Sequence, residues 1–268
     1  MAIGWTVTAA NEPSAGNTPY TLSSISIGAS ASDRIVVFCL AGNGAYGSVS
    51  GVTMNTGGGA VSMNSAVAAS GGASAFFTNA AIFYLADSSG STTATFVITT
   101  SGGHWGSPIY AVAQLTGLQN GASATPSAAF ADANPVALHA DPQTSDLSIT
   151  VPSAGIGTIF AFGPYSGTWA LSNATTDSST VPNYGILVGH TETAGSITPT
   201  STGGSDYSIC WALAAWNGAS AATPTFRRTL HSTGTRAGSR GMQDREHHRR
   251  NPKRDAWLCK NGVWRMAA

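Results

Sequence analysis

The sequence predicts an all-β fold: a jelly-roll-like antiparallel β-sandwich body with an extended C-terminal arm ending in a β-hairpin. Three observations carry this. Runs of four to eight residues rich in Val, Ile, Phe, Thr and Tyr recur at short, regular intervals, bounded by Gly, Ser, Asn or Pro, which is the pattern of a sandwich or barrel. The body holds no helix-length window with a 3.6-residue period; Ala111–Leu115 and Ala212–Ala215 come nearest and are too short. Only 9% of residues are charged, against roughly 25% in ordinary globular domains. Gly, Ser, Thr and Ala take the place of the Glu/Lys/Leu-rich stretches that make amphipathic helices. With 42% apolar residues, the composition also opposes disorder, since disordered chains are poor in hydrophobes and rich in charge.

Taken in order, the strand signals are Thr21–Ile27, Arg34–Leu40, Ala75–Leu85, Thr92–Thr99, Ile109–Leu115, Leu147–Val151, Thr158–Phe162, Gly185–Glu192 and Ser208–Trp216. An internal echo runs through them. Ile25-Ser-Ile27 followed by Ile35-Val-Val-Phe38 lines up without gaps on Leu147-Ser-Ile149 followed by Gly157-Thr-Ile-Phe160, at an offset of 122 residues. The body, 1–222, is therefore read either as two similar halves, 1–118 and 144–222, or as one jelly roll whose two hairpin sets match. Gly117–Gln143, rich in Ala, Pro and Asp, reads as a long connection, and Pro164–Val181 as a surface loop carrying Tyr165 and Trp169.

Charge divides the chain sharply. Of the 12 Lys and Arg residues, 11 lie in Arg227–Ala268, and the body holds Arg34 alone against nine acids. The net is −8 for residues 1–226 and +8 for the tail, where Asp244, Glu246 and Asp255 are the acids. Such asymmetry marks an interaction segment. Residues 223–255 form the basic arm, with Arg227, Arg228, Arg245, Arg249, Arg250, Lys253 and Arg254 as its docking candidates. Residues 256–268 carry a hairpin signal, Asn261-Gly262 being suited to a type I′ turn. A two-residue turn pairs Lys260 with Val263, Cys259 with Trp264 and Trp257 with Met266. Trp257, Cys259, Trp264 and Met266 then share one face. An isolated hairpin is marginal in water, so it should pack on its own body or on a partner, and for the latter these four residues complete the docking set.

Few motifs propose chemistry. Gly42-Asn-Gly44-Ala-Tyr-Gly47 matches the dinucleotide fingerprint, but Ser48-Val-Ser-Gly-Val-Thr53 starts no helix, and no Asp or Glu lies between Asp33 and Asp87. No cofactor is expected. His231, His247, His248 and Cys259 lack metal-ligand spacing, and there is neither a GxSxG elbow nor a paired-carboxylate motif, so no metal and no catalytic residue is assigned. Cys39 and Cys210 sit in apolar runs and read as buried free thiols. The first residues form no secretory signal, and no apolar run reaches the roughly 18–20 residues of a membrane span. Among aromatics on Gly-rich segments, Trp5, Trp105, Tyr165 and Trp169 offer stacking surfaces. Trp105, Tyr165 and Trp169 make a candidate host-glycan site. The arm itself suits phosphates, with salt-dependent nucleic-acid binding, or an acidic protein surface, including a neighbouring copy.

The body segments Ser24-Ile-Ser-Ile27, Asp33-Arg-Ile-Val-Val-Phe38, Ala81-Ile-Phe-Tyr-Leu85 and Ser91-Thr-Thr-Ala-Thr-Phe-Val-Ile98 resemble the β-sandwich virion proteins of tailed bacteriophages. The closing Trp257…Lys260-Asn-Gly-Val-Trp-Arg265 looks like the short Trp-containing hairpins of tail and head accessory proteins. The resemblance implies a non-enzymatic structural subunit: a head decoration, collar, fibre or tail component in the virion, assembled in several copies in the host cytoplasm. Its partners would be capsid, portal or tail proteins.

Overall fold

The computed structural model describes residues 2–11, 16–43, 49–70, 79–101, 104–132, 143–144, 147–164, 170–180, 184–202, 210–219, 257–260 and 263–266. The chain divides into two compact units, Met1–Thr223 and Pro224–Ala268. In chain order the first unit begins with β1 (Gly4–Asn11), β2 (Gly16–Asn17), β3 (Tyr20–Ser26), β4 (Ile35–Asn43) and β5 (Val49–Asn55). Next come β6 (Ala60–Ser62), β7 (Asn64–Ser70), β8 (Asn79–Ala86), β9 (Thr93–Thr100) and β10 (His104–Thr116). It continues with β11 (Ala128–Asp132), β12 (Gln143–Thr144), β13 (Ile149–Val151), β14 (Ile156–Pro164) and β15 (Ala170–Leu171). It closes with β16 (Thr175–Thr180), β17 (Tyr184–Thr191), β18 (Gly195–Ile197), β19 (Thr200–Thr202) and β20 (Cys210–Trp216). All nine predicted strands form, with ends shifted by a few residues.

Pairing in the first ten strands is nested. β1 pairs β10, β3 pairs β9, β4 pairs β8 and β5 pairs β6, as in one long antiparallel ribbon folded back on itself. Rolling the ribbon adds β10 to β4 and β9 to β5. Two facing sheets result, β1-β10-β4-β8 and β3-β9-β5-β6, with β7 extending the first. This is a jelly roll. The chain passes from the outer sheet to the inner one at Met63, between β6 and β7.

The later strands repeat the plan. The sheet β11-β20-β14-β17-β16 copies the order β1-β10-β4-β8-β7 position for position, and even the bulge between Ser65 and Val67 recurs between Thr176 and Ser178. Its outer layer is abbreviated: β12 pairs β19, β13 pairs β18 and β15 pairs β19, and among the described residues nothing stands for β6. The body is thus two rolls, one full and one reduced. The second starts at Ala128 rather than 144, because β11, within the segment read as a connection, is its first strand. Pro164–Val181, read as a loop, likewise contains β15 and β16; Tyr165 and Trp169 lie outside the described residues.

The register corrects the sequence echo. Ile35 opposes Leu115, and Ile156 opposes Trp216, so Ile35 matches Ile156 at an offset of 121, not 122. The difference of one residue inverts every face. Phe38 points into the outer layer of its own roll, stacked on Phe96 at 4.6 Å between centroids, whereas Phe160 points into the core between the rolls.

That central core joins the two inner sheets. Ile35, Val37, Cys39 and Leu115 meet Ile156, Phe160, Val188 and Trp216, and each large side chain contributes roughly 1.5–3 kcal/mol. β1 lies against β16 and β17, while β11 lies against β7 and β8; exchanging equivalent strands reproduces the contact, a pseudo-twofold relation. Cys39 and Cys210 are buried, and neither is in a disulfide among the described residues; burial pushes the Cys39 thiol up to about 12. The second unit contains the hairpin β21 (Trp257–Lys260) and β22 (Val263–Met266). Trp257 pairs Met266, Cys259 pairs Trp264 and Lys260 pairs Val263, the register that a two-residue Asn-Gly turn dictates.

Arg34, the body's single Lys or Arg, is wholly buried. Its guanidinium donates to the Asp87 carboxylate, to the carbonyls of Gly28 and Ala29 at 3.1 and 3.0 Å, and to Ser91 O at 2.8 Å. It staples the loop before β4 to the loop after β8. Removing one partner of a buried pair strands a charge. Asp87→Ala is expected to cost about 3–5 kcal/mol in urea unfolding, while Arg34→Met combined with Asp87→Leu recovers most of that loss.

Candidate functional site

The pseudo-twofold relation produces two equivalent corners where one roll's first strand meets the other roll's bulged edge strand. One carries Trp5, Asp177 and His190; the other carries Ser127, Ala66 and Tyr84 in the matching positions. The bulge lifts Asp177 out of the ladder. Trp5 Nε1 donates to Asp177 Oδ2 at 2.6 Å, and His190 Nδ1 lies 2.9 and 2.8 Å from Asp177 Oδ1 and Oδ2. The Trp5 and His190 rings stand 6.2 Å apart, tilted by 43°. The hydrogen bond to Asp177 raises the His190 pKa above its ordinary 6.5; partial burial opposes the rise, and the charges of Asp177 and Glu192 add to it.

Beside His190 a depression of about 480 Å³ opens, lined by Asn173, Ala174, Thr175, Thr191, Glu192 and Thr193. The repeat accounts for it. In the first roll Met63, which is buried, occupies the position that Ala174 holds here, and the outer sheet there is extended by the strand β6 just before it. With the side chain shortened and no counterpart of β6 among the described residues, the wall is low. A second depression of about 250 Å³, lined by Ala2, Ile3, Ala154, Gly155 and Ala219, shares Glu192 with the first. Asn173 is occupied as a strut, its amide donating to Thr198 O and accepting from Thr200 N at 3.2 Å. Thr191 Oγ1 accepts from Thr193 N at 3.3 Å. Glu192 is exposed, so its carboxylate is the strongest ligand-facing group of both depressions. His190 is held to Asp177 through Nδ1, which fixes the orientation of its ring. The site offers acceptors and negative charge, suited to a cationic or donor-rich ligand.

The sequence singled out Trp5 but did not group it with Asp177 and His190, which lie 172 residues and more away. No motif links them; the scarcity of acids and histidines in the body was the available signal. Trp105, on β10, pairs with Gly16 of β2, while its intended neighbours Tyr165 and Trp169 fall outside the described residues. So do Arg227, Arg228, Arg245, Arg249, Arg250, Lys253 and Arg254. Among the described residues no three His, Cys, Asp or Glu side chains gather as a metal site, and no helix is long and apolar enough to cross a membrane. No family model, no curated protein and no solved structure matches the chain.

The sign of the His190 contribution follows from its raised pKa. It is fully present below about pH 6.5 and is lost as pH rises through the folded-state value. His190→Gln is therefore expected to lower Tm more at pH 5.5 than at pH 8.5, read from thermal unfolding of both proteins across that range; an equal loss at both ends contradicts the tethering.

Proposed function

We propose that the chain is a non-enzymatic structural subunit of a tailed-bacteriophage virion, a head decoration, collar, fibre or tail accessory protein held to its neighbours by the basic arm and terminal hairpin. The observation that carries the reading is the segregation of charge. Arg34 is the one Lys or Arg of residues 1–226 and is buried against Asp87, so the body's surface presents acids and neutral groups. The tail holds the other 11 cations and ends in a hairpin pairing Trp257 with Met266 and Cys259 with Trp264. Both parts seek complements that they lack within themselves. The double roll supplies a rigid block; the arm supplies reach and charge; the hairpin supplies apolar anchors worth roughly 1.5–3 kcal/mol for each side chain fully desolvated.

The test is incorporation into particles. Deleting 227–268 is expected to abolish it while the body keeps its thermal unfolding transition, and Trp257→Ala with Trp264→Ala is expected to weaken it strongly. Particles that retain the truncated chain at the level of the full one overturn the proposal.

A further inference from the structure

We infer that the twin depression around Glu192 is the receptor for the basic arm, residues 227–254, of a second copy of this chain. The inference rests on the anchoring role just proposed and names one of its partners: the protein itself. Three observations converge on it. Glu192 is exposed and walls both depressions, giving an extended segment a carboxylate midway along its path. The polar end, with Thr175 and Thr193 hydroxyls, suits guanidinium donors. The other end, with Ile3, Ala154 and Ala219, suits the aliphatic stems that arginine lays along apolar surface.

The third observation is charge. The depression contains no Lys or Arg, and Asp177 lies behind its His190 wall. The body's net of −8 is matched by a net of +8 in the tail, so a copy-to-copy contact neutralises both without a foreign partner. Complementarity of this kind sets register and association rate more than raw affinity. It predicts an association that weakens as salt rises.

The matching position in the first roll explains why one receptor forms and not two. There Met63 is buried and the outer sheet extends to β6, and the residue equivalent to Glu192 is Ala86 at the end of β8. The reduced second roll alone exposes a carboxylate over a low wall. A single receptor and a single arm per copy allow a reciprocal exchange between two copies, or a head-to-tail contact that closes as a ring or grows as a string.

The experiment measures the mass of the full chain by light scattering across a concentration series at low and high salt. The wild type is compared with Glu192→Gln and with Asp132→Asn, which removes the same charge from β11; thermal unfolding checks that all three fold. A wild type that associates at low salt, with Glu192→Gln weakening association at least about tenfold, equivalent to about 1.4 kcal/mol, and Asp132→Asn leaving it near the wild-type value, is the expected result. Equal effects of the two variants overturn the inference, as does a wild type that stays monomeric at every concentration, whether its arm folds back on its own body or awaits a foreign partner. The two proposals fail separately: if Glu192→Gln leaves self-association unchanged while the 227–268 deletion still abolishes incorporation, the arm anchors the chain elsewhere.

Discussion

Everything in the body depends on two inner sheets being covered on both faces. Antiparallel sheets commonly leave one face to water and alternate apolar with polar residues. Here β4 sends Val37 and Cys39 into the core between the rolls, and Val36 and Phe38 into the core of its own roll. β20 divides likewise, with Trp216 on one side and Trp211 and Leu213 on the other. Such strands have no solvent side and tolerate no charge. The dense burial carries a cost: the indole N–H groups of Trp211 and Trp216 are buried with no hydrogen-bond partner among the described residues, an arrangement that costs about 1–3 kcal/mol for each group left unpaired.

This double burial decides what was legible in the sequence. Continuous runs such as Ile35-Val-Val-Phe-Cys-Leu40 announce themselves, and so do the alternating strands of the outer layer, of which β9 is the clearest. The edge strands do not. Asn64–Ser70 has Val67 alone among Asn, Ser and Ala, and Thr175–Thr180 has only Thr, Ser and Asp, so neither shows an apolar run or alternation; pairing to the neighbouring strand holds them. β11, Ala-Ala-Phe-Ala-Asp, has one large apolar residue and that one exposed, so it too shows no strand pattern. The hairpin register was readable because a two-residue Asn-Gly turn permits one pairing. The internal echo was readable in outline but displaced by one, since similar residues such as Phe38 and Phe160 attract an alignment that only pairing partners can correct.

The candidate site was illegible for a different reason. Trp5, Asp177 and His190 belong to different rolls and become neighbours only through the pseudo-twofold packing. Their groove exists because the second roll has shed material that the first retains: Ala174 stands for Met63, and β6 has no described counterpart. One roll carries the fuller outer layer, and the other leaves a surface exposed. Gly117 and Gly218 show the shared constraint that remains. Each ends the last strand of its roll, and an added Cβ would lie 2.3 Å from Ala2 O at the first and 1.7 Å from Ala154 O at the second, so neither position admits a side chain.

The buried Arg34 also governs how the protein meets proteases. Trypsin cleaves after Lys and Arg, and between Ile35 and Arg227 the sequence offers neither. Its attack therefore falls on the tail and, once the Asp87 staple opens, on the single bond after Arg34. Nearly the whole double roll stays one uncut polypeptide even when unfolded. A protein built this way meets trypsin-like enzymes with its basic tail as the cleavable part and its body as a lasting fragment.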